Sequence, residues 1–482
     1  MAMVACDDFD LPNPPGQSYP EPEGYFENSG IVLAEVTEPL NLVEANEANK
    51  FVTVATIEQL VDFPENYTLS IDMQVAADNN FSNVATVATV IDDKNVTVNP
   101  DLLNGAIQSV KTKAPGTYEM PVRFVAYAEL GTTRMRLGGI DATYCTETLK
   151  VTTLNADKVI EDAYYIVPCD ANGKPQMNKA MKMNNTSGEG ISGYDNPEFG
   201  LKFEVPADAN YTFMIAPLSA VATGDAAADT LFGCLPAEDK MSGKLGVGYA
   251  PGPVTIFGDV FVTINMELDS YTVSYAFEML YPFSGNVKVE NMMKLHTDNY
   301  INYTGVAAIN QLLTLAAQPD KNGDVIFKQS DAEEPVIDEN GFLQTGLMTT
   351  GEGSTIRAPY KGNSLYWCDI NLVQLTYSLY AIRSLSVIGD GNGWDVATAT
   401  ELTPSKDFRT WTATDVQIGS EFKINANGAW DVDFGGQVVN DATGNKVYNV
   451  YYKGSNLPCE AGKYDVTLDF SNVPYTVTLV KK

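Results

Sequence analysis

Three stretches of this chain open alike and close alike, and no other feature restricts its folding as strongly. Tyr164-Tyr-Ile-Val-Pro-Cys-Asp-Ala-Asn-Gly, Met279-Leu-Tyr-Pro-Phe-Ser-Gly-Asn and Leu385-Ser-Val-Ile-Gly-Asp-Gly-Asn-Gly-Trp each run a hydrophobic strand into a Gly/Asn turn. Three hairpin-like endings also agree: Met266-Glu-Leu-Asp-Ser-Tyr-Thr-Val-Ser-Tyr, Ile370-Asn-Leu-Val-Gln-Leu-Thr-Tyr-Ser-Leu-Tyr and Val466-Thr-Leu-Asp-Phe-Ser-Asn-Val-Pro-Tyr-Thr-Val. The period is roughly 105–115 residues, the size of a complete domain rather than of a solenoid repeat. The chain therefore divides into a tether (1–24), a first β domain (25–157) and three related units at 158–278, 279–383 and 384–482. The joins are short, which predicts units strung as beads with limited freedom.

Inside these bounds, β signals dominate. Phe51-Val-Thr-Val-Ala, Tyr67-Thr-Leu-Ser-Ile-Asp-Met, Val122-Arg-Phe-Val-Ala-Tyr and Val260-Phe-Val-Thr-Ile-Asn-Met are rich in β-branched and aromatic residues. Asn-Gly, Gly-Asn and Asp-Asn pairs punctuate them. Helical periodicity shows near Asp101 to Val110 and, more weakly, from Gly305 to Ala317. The fold class expected is all-β, built from sandwich-like units.

Charge and residue usage narrow the function. Thirty basic and 62 acidic side chains give a formal charge of −32. A duplex nucleic-acid binder needs a basic face, and docking to an anionic lipid surface needs one too, so both are disfavoured. The single histidine, His296, would have to supply any triad, multi-histidine zinc site or imidazole proton shuttle alone, and its Met-Lys-Leu-His-Thr-Asp setting lacks ligand spacing. Two-carboxylate chemistry stays open, since so many acids always include a suitably spaced pair. Asp320-Lys-Asn-Gly-Asp324 resembles the start of a calcium loop, yet Val325 stands where the loop requires glycine, so it reads as a turn. Sequons such as those at Asn66, Asn95 and Asn302 read as coincidence in an asparagine-rich chain. No metal or cofactor is expected. Cys145, Cys169, Cys234, Cys368 and Cys459 are widely spaced with no CxxC, the pattern of isolated buried thiols.

Near the start, Met3-Val4-Ala5-Cys6 reads like the end of a bacterial lipoprotein signal, although no full n-region and h-region precede it. Cys6 is the expected lipidation site. Pro12, Pro14, Pro15, Pro20 and Pro22 then favour an extended tether, because proline fixes φ and cannot donate to a ladder.

Two of the four tryptophans stand beside turns. Trp394 follows Asn392-Gly393, Trp430 follows Asn427-Gly428-Ala429, and each precedes an aspartate. Asn-Gly favours backbone with φ > 0, which places both indoles at bends, where they either plug the sandwich ends or form a ligand platform. In Glu421-Phe-Lys-Ile-Asn-Ala, alternation puts Phe422 and Ile424 on one face and Lys423 with Asn425 on the other. Donors and an amide beside aromatic surface suit a sugar, whose axial C–H face packs on an indole while its hydroxyl rim takes hydrogen bonds. Trp367 and Trp411 sit in strand-like contexts and read as core.

Together, the Cys-Asp-Asp start, Tyr67-Thr-Leu-Ser-Ile-Asp with Asp78-Asn-Asn-Phe-Ser-Asn-Val, and the Ile388-Gly-Asp-Gly-Asn-Gly-Trp394 style of opening resemble the SusE/SusF family. These are outer-membrane glycan-binding lipoproteins of Bacteroidetes polysaccharide-utilisation systems. The resemblance spans essentially the whole chain, and four domains after a tether are similar to the longer, SusF-type members. It implies an Ig-like N-terminal domain, three tandem carbohydrate-binding β-sandwiches, surface display through a lipid anchor at Cys6, and SusC- and SusD-like transport partners. It also implies a site joining two aromatics to a basic residue and an amide. Trp394, Lys423 and Trp430 match that pattern, with Asn425 as a further candidate. The other units depart from it: Lys174 stands in the turn of the first, whose Phe213-Met-Ile replaces Phe-Lys-Ile, and the second has Gly285-Asn-Val287, with no tryptophan until Trp367. Both read as degenerate sites. The resulting expectation is a non-catalytic binder of starch or a related neutral glucan. A spacer or adhesin without a glycan site, and a glycoside hydrolase with appended β modules, are the alternatives.

Overall fold

The computed structural model describes residues 24–206, 210–227, 229–238, 241–284, 293–318, 325–360, 362–439 and 446–482. Cys6, the proline-rich tether, the turn at Gly285–Val287 and the Asp320–Asp324 loop lie outside the described residues. The fold is all-β, with three short α-helices among the described residues. By internal contacts it forms two compact units, one running through Asp162 together with Asn185–Pro197, the other comprising Ala163–Asn184 and Glu198–Lys482.

The first unit pairs its longest strand, Thr117–Leu130, with Thr68–Ala76 on one side and Tyr144–Thr152 on the other, all antiparallel. A second sheet joins Gly30–Ala34, Val52–Val61, Asn95–Val98 and Val90–Asp92. Both sheets bury alternate residues in one core, among them Val54, Met73, Val75, Val122 and Phe124. The expected helix is present as Pro100–Val110. Asn99 caps it, its side-chain oxygen accepting from the Asp101 and Leu102 amides, and Leu103, Ala106 and Ile107 face the core.

In the second unit, three ten-stranded sheets pair their seven principal strands in one order, and in the middle one the short strand Leu295–His296 joins both ends of that run. The opening strands Tyr164–Pro168, Met279–Ser284 and Leu385–Gly389 lie antiparallel to Thr212–Pro217, Leu312–Ala316 and Glu421–Ala426. The closing hairpins are Gly258–Asn265 with Ser270–Tyr275, Asn363–Asn371 with Thr376–Ile382, and Gly462–Asp469 with Tyr475–Lys481. We call these sheets the second, third and fourth modules, counting the first unit as the first domain.

The weak helical pattern from Gly305 to Ala317 is overturned. Asn302–Asn310 and Leu312–Ala316 are strands, joined at Gln311 with φ 64°. The run of small residues imitates a helix because Gly305 answers a tertiary demand. A Cβ there would stand 3.1 Å from the Tyr475 hydroxyl and 3.0 Å from the Lys294 carbonyl.

That close approach belongs to a joint that restricts the third module against the fourth. Along Asn363–Asn371, Tyr366, Cys368 and Ile370 enter the third module's core, while Leu365 and Trp367 on the opposite face enter the fourth's. Trp367 is buried as expected, but between modules. Its ring stacks on Tyr452 at 4.5 Å and 17° and meets the Phe434 ring obliquely at 5.9 Å. The Val306 amide donates to the Tyr475 hydroxyl at 3.0 Å across the same joint. A strand apolar on both faces needs two partners, and here the next module is the second.

Candidate functional site

The site assembles at one end of the fourth module. Leu385–Gly389 runs into a single 3₁₀ turn, Asp390–Asn392, followed by Gly393 and Trp394, both left-handed with φ of 66° and 59°. A bulky residue is costly in that region, so the loop must be held by other bonds. Asn392 accepts from the Gly389 amide at 3.0 Å and donates to the Asp395 carbonyl at 2.7 Å. The Trp394 amide donates to the Gly389 carbonyl at 2.9 Å, and its indole N–H donates to Asp390 Oδ1 at 2.8 Å. The other Asp390 oxygen accepts from the Ser420 hydroxyl. The indole is therefore aimed by a carboxylate that is itself anchored.

Trp430 is presented by a different device. Asn427 and Gly428 have φ of 55° and 61°, the conformation that Asn-Gly favours in two-residue hairpin loops. Beyond the turn, Ala426 pairs with Ala429, but Asn425 pairs with Asp433, so Trp430, Asp431 and Val432 bulge from the ladder. A bulge re-aims side chains, and this one leaves Trp430 43% exposed. The two indoles meet with centroids 6.2 Å apart and planes inclined by 38°. Both belong to one module, Trp394 half-buried and Trp430 exposed.

The polar candidates are placed otherwise. Lys423 and Asn425 do lie opposite Phe422 and Ile424, as alternation requires, but the bulge covers that face. Asn425 has no exposed surface; its amide donates to the Ala429 carbonyl at 3.4 Å and its carbonyl oxygen has no partner among the described residues. It stitches the bulge rather than facing solvent. The Lys423 side chain is 15% exposed and its Nζ pairs with Asp433 Oδ1 at 2.7 Å. Asp433 Oδ2 pairs equally closely with Lys453, which also donates to the Trp430 carbonyl.

Sequence reasoning missed Asp433 and Lys453. They lie 10 and 30 residues from Lys423 and meet only through the sheet register, so no local spacing marks them. Lys453 is exposed beside the Trp430 bulge, with its ammonium on Asp433 and the Trp430 carbonyl.

Among the described residues, the other modules carry no equivalent of the Lys423–Asp433 pair. Met214 faces Val167 as Lys423 faces Ile388, and Leu231 precedes Phe232 as Asp433 precedes Phe434; both are buried hydrophobic residues. In the third module Thr314 and Ile326 hold these places. Elsewhere, His296 is half-buried, and burial together with Lys294 depresses its pKa. Among the described residues no group of three or more His, Cys, Asp and Glu side chains could hold a metal ion, and Cys145, Cys169, Cys234, Cys368 and Cys459 are free.

The Asp390 pKa lies below the usual carboxylate value, chiefly through the Ser420 hydroxyl and then the Trp394 indole. A depressed folded pKa means the contribution is complete above the unfolded value of about 3.9 and is lost as pH falls through the folded one. The near-ultraviolet circular dichroism of the indole pair is thus expected to stay constant from pH 8 down to about 4. A transition above that value would show that Asp390 does not hold Trp394.

Residues 159–275 match the family described as SusF, first starch specific CBM. The match falls on the second module, whose opening turn carries Lys174 rather than a tryptophan. The crystal structure of SusF from Bacteroides thetaiotaomicron aligns with 93% of this chain and 100% of that one, at 16% identity and a TM-score of 0.34. No curated protein matches the chain. Over residues 159–275 the chain is similar to this SusF module family.

Proposed function

We propose that this protein binds polysaccharide without cleaving it, with starch as the leading ligand and the Trp394–Trp430 platform as its principal site. The observation that carries this reading is the pair of indoles 6.2 Å apart and inclined by 38°, one of them with an open face. Successive rings of a helical α-glucan turn relative to one another, so a bent platform suits them better than it suits a flat β-linked ribbon. Each stacked ring adds about 1 kcal/mol beyond area burial, and Lys453 can donate to a hydroxyl at the rim. Lys423 acts here as support for Asp433, and Asn425 as part of the bulge. The starch specificity in the name of the matched family favours the same ligand class.

In this reading Cys6 bears a lipid anchor in the outer membrane, the tether and an Ig-like first domain hold the modules off the surface, and SusC- and SusD-like proteins receive the captured glycan. Incubation of the full chain with a panel of soluble polysaccharides tests the proposal. Retardation in starch-containing gels without release of reducing ends is expected. Steady release of reducing sugar would instead identify a hydrolase, and migration unaltered by every glycan would leave a spacer.

A further inference from the structure

The hairpin that presents Trp430 is held from outside its own module. The Asn427 side-chain oxygen accepts from the Arg383 amide at 2.7 Å and the Ser384 amide at 3.2 Å, and its amide nitrogen donates to the Ala381 carbonyl at 2.8 Å. Ala381 belongs to the last strand of the third module, Thr376–Ile382. One residue earlier on that strand, the Tyr380 hydroxyl donates to Asp431 Oδ2 at 3.2 Å. Asp431 is the middle residue of the bulge and directly follows Trp430. Tyr380 is itself fixed, being buried with its ring stacked on Phe342 at 6.1 Å and 27°. Within the fourth module, the bulge is tied through the Trp430 carbonyl to Lys453, through the Asp431 carbonyl to the Tyr452 hydroxyl at 3.3 Å, and through Asn425 to Ala429. Trp430 and Asp431 are exposed while Val432 is buried in the fourth module's core, so a bond from the buried Tyr380 fixes the exposed part of the bulge.

We propose that Tyr380 is a positioning residue for the glycan site of the fourth module, so that the binding unit is the third and fourth modules together. Tyr380 sets the direction of Asp431, and through it the inclination of Trp430 to Trp394. The inference rests on the glycan-binding reading of these indoles, but its structural half can be tested without a ligand. Two indoles at this separation couple electronically and give an exciton couplet in far-ultraviolet circular dichroism, whose amplitude depends on their mutual angle.

The experiment compares the full chain with Tyr380→Phe, Asp431→Asn and the double variant. Phenylalanine keeps the buried ring and removes only the hydroxyl, and thermal unfolding confirms that each variant is folded. Tyr380→Phe is expected to change the couplet and to weaken amylose binding about tenfold, the scale of a hydrogen bond to a charged group. Tyr380→Phe is expected to have a smaller effect in the Asp431→Asn background, where the hydroxyl donates to a neutral amide oxygen rather than to a carboxylate. A couplet identical to that of the parent chain overturns the proposal, as does a changed couplet with undiminished amylose affinity. If the parent chain binds no glucan at all, the glycan reading fails separately, and the couplet alone still decides whether Tyr380 positions Trp430.

Discussion

Trp430→Ala in the full chain is expected to lower affinity for starch by at least tenfold and to abolish retardation in starch-containing gels. The indole offers the larger open face of the pair, and its removal deletes both the stacking contribution and the apolar area a sugar would cover. Together these come to about 1.4–2.8 kcal/mol, or roughly ten- to a hundredfold in affinity. Trp394→Ala is expected to act similarly, and the double variant to lose little more than either single one, because a bent platform works only as a pair. Trp430→Phe keeps a smaller aromatic face and should retain part of the binding. Isothermal titration with a soluble malto-oligosaccharide checks the series. Parent-like affinity in Trp430→Ala would remove the site from consideration, whatever the other modules bind.

Asp433→Ala is expected to destabilise the fourth module by about 3–5 kcal/mol, read from denaturant midpoints at constant m. Asp433 is almost wholly buried and binds Lys423 through one oxygen and Lys453 through the other. Its loss leaves the Lys423 ammonium inside with no counter-charge, and that desolvated cation accounts for most of the cost. The second module supplies the control, since Met214 and Leu231 occupy the same two places in an all-apolar solution. Lys423→Met with Asp433→Leu should therefore recover most of the lost stability. Such rescue is characteristic of a buried ion pair replaced by hydrophobic residues of similar volume. Equal destabilisation in the single and double variants would show that Asp433 matters for a reason other than the charge it neutralises.

Much of the architecture was legible in the chain. The repeated openings and endings correspond to strands and hairpins that pair in one order in all three modules. Asn427-Gly428 became the left-handed turn that its residue types require, and Asp101 to Val110 became a capped helix. These succeeded because they depend on φ preferences, caps and periodicity within a few residues. The failures share a different cause. Gly305 to Ala317 imitated a helix, yet Gly305 stands where the Tyr475 hydroxyl of the next module comes close, a demand no local pattern records. Alternation placed Asn425 on the correct face of its strand, yet that face is roofed by a bulge whose existence depends on the register between Asn425 and Asp433.

The amino-acid sequence alone was enough to determine the β class, the modular repeat and the two bends that carry Trp394 and Trp430, since each follows from short-range backbone preference. Only tertiary structure decided that Lys423 is spent on Asp433, that Lys453 stands at the platform, and that Trp367 and Tyr380 tie the third module to the fourth. Those contacts join residues tens of positions apart, through sheet register and the packing of one module on the next. Their partners are chosen by which surfaces are left to cover after each sheet has formed, and that choice is made in three dimensions rather than along the chain.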